Sequence, residues 1–522
     1  MDMRIIESRQ ALVAELRNPS RVLNAVPTAK PLTQYEGMVA VPHRIDEVRV
    51  LNNLGIRAPS PILHYYNWPG RFTPFKAQRL TAAMLTLNPR AFVLNEVGTG
   101  KSMSALWAYD YLRIVGEAKR LLVIAPLSTL ERTWADEVFF HMTHLTVSVL
   151  HGTRAKRLKA LKQEADVYVI NHDGVGVILD ELIARSDITH VVIDELAHAA
   201  RNSRTRKWKA FYKLVNSPNT QRSCWGMTGT PIPNSPTDAY AQAKLVVPHK
   251  SPRSFSRFRE ETMRQYGPFK WLPRDDAMDS VRRIMSPAVR FTRDECMDLP
   301  DCMYEDRDTP MSDRQAKAYK TMATKLVAEA EGGQILAVNE AVKLNKLVQI
   351  ACGVAYDSDG KEVFFEPKER IAELLNIINS TPYKVIVYVP YVSTINMVLE
   401  QVRTVDPDAE CVYGGVSKNK RDQVFKSFQS MDQPKVLVAQ PAAMSHGLTL
   451  TKASTIVWYG PTTSNETYEQ ANGRITRPGQ KNKQFIIHLG GTDIERRIYK
   501  RLQEKQSMQG VLLDAVKANR LT

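Results

Sequence analysis

One short stretch limits the folds open to this chain more than any other. The apolar Ala91-Phe92-Val93-Leu94 runs into Asn95-Glu96-Val97-Gly98-Thr99-Gly100-Lys101-Ser102 and then into the helix-like Met103-Ser104-Ala105-Leu106-Trp107-Ala108-Tyr109. A buried strand that turns over glycines into a helix makes a phosphate cradle. Gly98 and Gly100, with Thr99 between them, let successive backbone N–H groups turn toward one point, and the helix adds its positive N-terminal end. Lys101 brings a mobile charge and Ser102 a hydroxyl for Mg²⁺. The stretch therefore predicts a nucleoside triphosphate site. The full P-loop pattern has glycine where this chain has Asn95, so the match is to its GxGK[ST] half, and an ordinary glycine-rich strand-to-helix turn has the same local look.

The segments around the cradle extend the pattern. Leu121-Leu122-Val123-Ile124-Ala125, Asp166-Val167-Tyr168-Val169-Ile170-Asn171 and Val191-Val192-Ile193-Asp194 read as strands buried on both faces, with helical stretches between them, such as Thr129 through Glu137. Such strands build a parallel sheet. Ligands of these sheets sit at the carboxyl ends of the strands, where Lys101 and Asp194 both fall. From about Ser254 to Cys352 the strand signal fades, and segments beginning at Phe255 and Asp313 predict helices, with a turn over residues 329–333. Lys384-Val385-Ile386-Val387-Tyr388-Val389, Lys435-Val436-Leu437-Val438-Ala439 and Ser454-Thr455-Ile456-Val457-Trp458-Tyr459 then restore the strand pattern, which predicts a second parallel α/β domain.

With 522 residues the chain exceeds what one core organises. The expected division is an accessory segment at 1–70, a first α/β domain at 71–300 with a helical insertion near 245–290, and a second at 301–522 with a helical insertion near 311–352. In the accessory segment Pro27, Pro31, Pro42, Pro59, Pro61 and Pro69 rule out long helices, and Ile45 to Leu54 has helical spacing closed by Gly55.

Lys and Arg number 71 against 55 Asp and Glu, a formal charge of +16. That surplus suits a polyanionic partner and equally a soluble basic protein. The five cysteines form no CxxC pair, which argues against structural zinc and a disulfide framework. Met1-Asp2-Met3-Arg4 does not resemble a signal peptide and no apolar run has membrane-spanning length, so the expectation is a reducing, cytoplasmic compartment and no membrane partner.

Three further constellations carry chemistry. Asp194-Glu195 closes a Val-Val-Ile strand, which is what a nucleotide hydrolase needs: one carboxylate for Mg²⁺ and its neighbour to orient and deprotonate water. Thr228-Gly229-Thr230-Pro231 makes a hydroxyl-rich turn able to bond the acidic pair, though its composition is also that of a plain turn. In Gln470-Ala471-Asn472-Gly473-Arg474-Ile475-Thr476-Arg477-Pro478-Gly479-Gln480 the arginines are three apart and on a helix would share a face, suited either to a γ-phosphate or to solvent.

The order of these parts resembles the Swi/Snf-type ATPases of helicase superfamily two, from about Phe72 to near the C-terminus. Phe75-Lys76-Ala77-Gln78 is similar to the family's adenine-reading glutamine motif. The cradle stands where the family has DExGxGK[ST], and Ala125-Pro126-Leu127-Ser128 with Trp134 and Glu137 is similar to a motif that touches the nucleic-acid backbone. Met227 through Asn234 matches LTGTPxxN, and Arg477-Pro478-Gly479-Gln480 ends the arginine motif as Swi/Snf-type enzymes do. Two places depart. Asp194-Glu195-Leu196-Ala197-His198 carries its histidine one residue later than DEAH, so either the loop is one residue longer or coupling belongs elsewhere. Ser445-His446-Gly447-Leu448-Thr449-Leu450 has His446 where the family has glycine.

The resemblance implies an α/β fold of two RecA-like parallel-sheet domains in tandem with helical insertions, and a compact bacterial or bacteriophage enzyme that hydrolyses ATP with Mg²⁺ between the domains. It assigns ATP to Gln78, residues 98–102, Gly447 and Gln470, and Mg²⁺ to Ser102 and Asp194. Catalysis goes to Glu195, Arg474 and Arg477, coupling to Thr228 and Thr230, and nucleic-acid contact to Ser128 and Thr449. The implied partner is double-stranded or forked DNA, with movement along it. A strand-separating or strand-annealing helicase is the alternative enzyme, and a DNA-binding protein with a vestigial ATPase the non-enzyme.

Overall fold

The computed structural model describes residues 3–218, 222–233, 235–267, 271–296, 302–331, 337–356, 361–444, 450–476 and 480–504. Two units divide the chain, Met1–Met297 and Asp298–Thr522.

The first unit opens on an antiparallel sheet in the order Met3–Ile6, Ala11–Glu15, Met38–Pro42, Lys30–Pro31, covered by helices Pro19–Ala25 and Ile45–Asn53. Ile45–Asn53 stops before Gly55, whose φ of 81° lies in the left-handed region that suits glycine. The helix was legible in the sequence and the sheet was not. In Ala11–Glu15 the residues Leu12, Val13 and Ala14 are all buried, so the strand lacks the period-two alternation that marks a half-buried one. Arg49 ties this segment to the helix Lys76–Leu87, donating from Nη2 to the Thr86 carbonyl at 2.8 Å and from Nε to that of Leu87 at 3.2 Å.

Next comes a seven-stranded, wholly parallel sheet in the order Ala288–Val289, Arg90–Val93, Ser223–Met227, Ile188–Ile193, Arg120–Ala125, Val167–Asn171, Val147–Leu150. Alternate side chains fill separate cores: Leu121, Val123 and Ala125 enter one, Leu122 and Ile124 the other. Burial on both faces is why these strands read as unbroken apolar runs.

Two expectations for this unit need correction. The segment from Thr129 to Glu137 is a 3-10 turn Leu127–Thr129, a π-helix Leu130–Ala135 and the start of an α-helix Asp136–His141. Leu130, Trp134 and Val138 are all buried. On a regular α-helix a four-residue spacing drifts by about 40° per step, and the wider π turn offsets that drift. The insertion near 245–290 is not purely helical: between helices Phe255–Thr262 and Ala277–Ile284 lies an antiparallel hairpin of Met263–Gln265 and Trp271–Pro273. Its strands of 3 residues are too short to show a period, and the Arg259 guanidinium lies 4.3 Å over the Trp271 ring.

The second unit carries six parallel strands in the order Cys302–Asp308, Gln484–Gly490, Ala453–Trp458, Lys384–Tyr388, Val436–Ala439, Glu410–Val412. Helices Asp313–Glu331 and Ala337–Ala351 precede most of them. The first helix runs on through Glu331, past the expected start of a turn at 329, because Ala328, Glu329 and Ala330 all favour helix; residues 332 and 333 lie outside the described set. Among the described residues no helix is long and apolar enough to cross a membrane.

A buried ion pair holds this unit's core. Arg370 on helix Lys368–Ser380 meets Glu495 on helix Asp493–Gln503, Nη2 to Oε2 at 3.0 Å, and its Nη1 also donates to the Tyr459 carbonyl at 2.9 Å. Glu495 accepts further from Gly491 N–H and the Thr492 hydroxyl, each at 3.0 Å. Arg370→Leu leaves Glu495 charged and buried, and equilibrium denaturation should show this unit destabilised by about 3–5 kcal/mol.

Candidate active site

Three neighbouring strands, Arg90–Val93, Ser223–Met227 and Ile188–Ile193, end together at the carboxyl end of the seven-stranded parallel sheet, and each delivers one expected motif there. The cradle comes after the first. Gly98 and Gly100 have φ of 89° and 77°, the left-handed region that the turn requires. Lys101 opens the helix Lys101–Ile114, its Nζ donating to the carbonyls of Asn95 at 3.0 Å and Glu96 at 3.1 Å, with Ser102 in the same first turn. The Thr99 hydroxyl donates to the Glu96 carbonyl at 2.8 Å. Gln78 is buried, and its Oε1 accepts from Phe75 N–H at 2.9 Å, capping its own helix. Its amide nitrogen packs so tightly on the cradle that a Cβ at Gly100 would stand 2.0 Å from it.

Asn95 explains the missing P-loop glycine. Its side chain is buried, Nδ2 donating to the Thr81 hydroxyl at 2.9 Å and Oδ1 accepting from Phe291 N–H at 3.0 Å. The residue thus stitches the cradle to the helix below it and to the segment after Ala288–Val289, a task glycine cannot perform.

Asp194 follows the strand Ile188–Ile193, opens the acidic pair and is fixed at four points. Its N–H donates to the Ile124 carbonyl at 2.8 Å, its carbonyl accepts from His172 Nε2 at 2.9 Å, Oδ1 accepts from Glu195 N–H at 3.0 Å, and Oδ2 accepts from Trp134 Nε1 at 3.0 Å. Burial and the adjacent Glu195 push its carboxyl up to about 6, while the Trp134 hydrogen bond and the Lys101 charge pull the other way. Burial lowers His172 to about 4, which keeps its ring neutral. Glu195 takes a left-handed backbone, φ 49°, a strained choice for a residue with a side chain. Leu196 packs closely on the strand Ser223–Met227: a Cβ at Gly226 would lie 2.5 Å from its Cδ2 and push that side chain aside. Leu196 and Ala197 are buried in the helix Leu196–Ala199, and His198 is exposed on it.

The Thr228 turn follows the strand Ser223–Met227. Thr228 is buried, its hydroxyl accepts from Thr230 N–H at 3.3 Å, and Gly229 packs against the cradle, an added Cβ lying 3.2 Å from Val97 Cγ2. The turn's contact is thus with the cradle. Ser128 lies half-buried in the turn Leu127–Thr129.

In the second unit the helix Asn465–Asn472 carries Gln470, whose Nε2 donates to Glu466 Oε1 at 3.3 Å. The expectation that Arg474 and Arg477 share a helix face is corrected here, because Gly473 caps the helix and Arg474 sits in the turn beyond it. Arg474 is buried near Tyr388, and its backbone carbonyl accepts from Leu450 N–H at 3.0 Å. Arg477, Gly447 and Thr449 lie outside the described residues.

The sequence matches the SNF2-related domain over residues 82–352 and the helicase conserved C-terminal domain over residues 368–479. The chain belongs to the SNF2-related family. It is thereby an ATP-dependent enzyme of helicase superfamily two, and its two parallel sheets are the family's tandem RecA-like domains. Protein p41 of Acyrthosiphon pisum secondary endosymbiont phage 1 is 26% identical over 85% of this chain and 99% of its own length. The ATP-dependent helicase MG018 of Mycoplasma genitalium is 24% identical over 79% of this chain, which spans only 39% of that protein. The helicase/translocase YwqA of Bacillus subtilis is 22% identical, and the chain spans 46% of it. Among solved structures, the Sulfolobus solfataricus SWI2/SNF2 ATPase core in complex with dsDNA is 20% identical, covering 87% of this chain and 95% of that one at a TM-score of 0.41.

Three residues that sequence reasoning gave no role in this SNF2-type site shape it, Asn95, His172 and Gly226, and Trp134, expected only in a motif that touches the nucleic-acid backbone, bonds Asp194 as well. Gly226 left a signal, a glycine inside a buried strand. The side chain of Asn95 offers a direct check, since Asn95→Ala removes both its bonds and leaves the Phe291 N–H without that acceptor. Thermal or urea denaturation should show a loss of about 1–3 kcal/mol in the first unit.

Proposed function

We propose that this chain couples ATP hydrolysis to movement along double-stranded DNA, acting on forks, recombination intermediates or DNA-bound proteins. The observation that carries the reading is the convergence of cradle, acidic pair and Thr228 turn from three adjacent parallel strands at the carboxyl end of one sheet. Lys101 and the cradle N–H groups bind the phosphates, and Gln78 reads the adenine. Ser102 and Asp194 offer only oxygen donors, and few of them, a set that fits Mg²⁺. Bound there, Mg²⁺ would supply charge neutralisation at the phosphates. Glu195 orients the attacking water and takes its proton. Gln470, Arg474, Arg477 and Gly447 of the second unit complete the nucleotide contacts, and the guanidinium groups stabilise charge on the transferring phosphoryl. Thr228 and Thr230, packed on the cradle through Gly229, pass the nucleotide state onward, and Ser128 and Thr449 hold the DNA backbone. The +16 charge supports a polyanionic track, and the name of YwqA supports translocation.

A second reading, strand separation, is favoured by the hairpin of Met263–Gln265 and Trp271–Pro273, where Tyr266 is 71% exposed beside the exposed Arg264. An aromatic ring there suits stacking on an unpaired base.

The test is ATP hydrolysis with saturating duplex DNA. Glu195→Gln should lower the turnover about 10²–10⁴-fold while ATP binding persists. Lys101→Ala should weaken ATP binding itself. Full DNA-stimulated turnover in Glu195→Gln would overturn the mechanism, and equal rates for Lys101→Ala and the parent would favour a DNA-binding protein without an ATPase. For the second reading, Tyr266→Ala should abolish unwinding of a forked duplex and spare duplex-stimulated hydrolysis.

A further inference from the structure

The hydrogen bond from Trp134 to Asp194 joins two parts of the site that the proposed function treats separately. Trp134 is fully buried, and its indole has a single polar atom, which can only donate. That donor reaches Asp194 Oδ2 at 3.0 Å, across 60 residues of sequence. The bond is neutral on one side, so it orients the carboxylate without cancelling its charge, as a lysine or arginine would. Glu195 N–H holds the other oxygen, Oδ1, at 3.0 Å, so the plane of the carboxylate is set from both ends.

The ring is aimed by an unusual stretch of backbone. Trp134 lies in the π-helix Leu130–Ala135, which succeeds the 3-10 turn Leu127–Thr129 without a break. A single-turn π segment is uncommon and occurs often at functional sites. Ser128 lies in that 3-10 turn, six positions before the indole, and Thr129 fixes the turn by donating its hydroxyl to the Pro126 carbonyl at 2.9 Å. The turn and the indole thus belong to one continuous segment of 3-10 and π backbone.

We propose that Trp134 is a positioning residue that links the nucleic-acid contact at the Leu127–Thr129 turn to the orientation of Asp194. The proposal rests on the reading of Asp194 as the Mg²⁺-holding carboxylate and of Ser128 as a backbone contact. DNA seated on the turn steadies the π segment, the indole holds the carboxylate in the plane that suits the cation, and nucleotide with Mg²⁺ binds more tightly. By linkage the reverse also holds: nucleotide with Mg²⁺ steadies the turn.

Trp134→Phe keeps an aromatic ring in the core and removes only the indole's outer ring and its N–H. Binding of a fluorescent ADP analogue, titrated with Mg²⁺ and repeated in EDTA, should show the Mg²⁺ concentration for half-saturation raised about tenfold, the usual scale for losing a partner that orients a metal-holding side chain. Binding in EDTA should match the parent, and duplex DNA should no longer tighten the analogue. A folded Trp134→Phe protein with the parent's Mg²⁺ midpoint and the parent's response to DNA would overturn the proposal, because a purely structural tryptophan changes thermal stability alone. Hydrogen exchange on the unmutated protein gives a second test that needs no variant to fold. Peptides spanning residues 127–137 should exchange more slowly when Mg²⁺ and a non-hydrolysable ATP analogue are added without DNA, and unchanged exchange there would contradict the link. The function itself fails on a different result, absence of DNA-stimulated hydrolysis in the parent, and the Mg²⁺ titration is read independently of it.

Discussion

A carboxylate taken out of water must be held by donors or lose its charge. Asp194 stands at the end of a strand buried on both faces, next to a second acid, and burial with that neighbour raises its carboxyl to about 6. The site is organised against that tendency. Trp134 and the Glu195 N–H bond the two oxygens, Lys101 contributes positive charge, and the main chain is fixed by Ile124 and by a neutral His172. The left-handed Glu195 is followed directly by Leu196, whose side chain is seated against Gly226. The parallel sheet supplies the rest, since adjacency of three strand ends brings phosphate cradle, acids and the Thr228 turn together.

The sequence made legible whatever depends on burial and backbone turning. Apolar runs gave the strands of both parallel sheets, and glycine spacing gave the cradle and the cap after Asn53. What stayed hidden depends on partners distant in sequence. Asn95 read as a gap in a motif, because its partners Thr81 and Phe291 lie 14 and 196 residues away. Trp134 read as part of a helical stretch and of a motif that touches the nucleic-acid backbone, because nothing local shows that the helix widens into a π turn and aims the indole at Asp194. The strand Ala11–Glu15 escaped because its three consecutive buried residues carry no alternation, and the hairpin after Thr262 because its strands are too short. The arginine motif failed for a local reason: Gly473 ends the helix before Arg474.

The second unit buries charge in two places. Its core depends on Arg370 and Glu495, a pair with both charges buried and each bonded to main chain as well as to the other. Arg474, also buried, sits on the turn beyond Asn465–Asn472. A guanidinium on a capped turn, steadied by the bond between its own carbonyl and Leu450 N–H, has a backbone fixed independently of its charge.

The most direct test of the account is steady-state ATP hydrolysis at fixed low salt with no nucleic acid, single-stranded DNA, duplex DNA, forked DNA or RNA. Stimulation strongest with duplex DNA, falling steeply as salt is raised, is the predicted result, because backbone phosphate contacts release counterions. Stimulation mainly by single strands or RNA, or none by any of them, would contradict it.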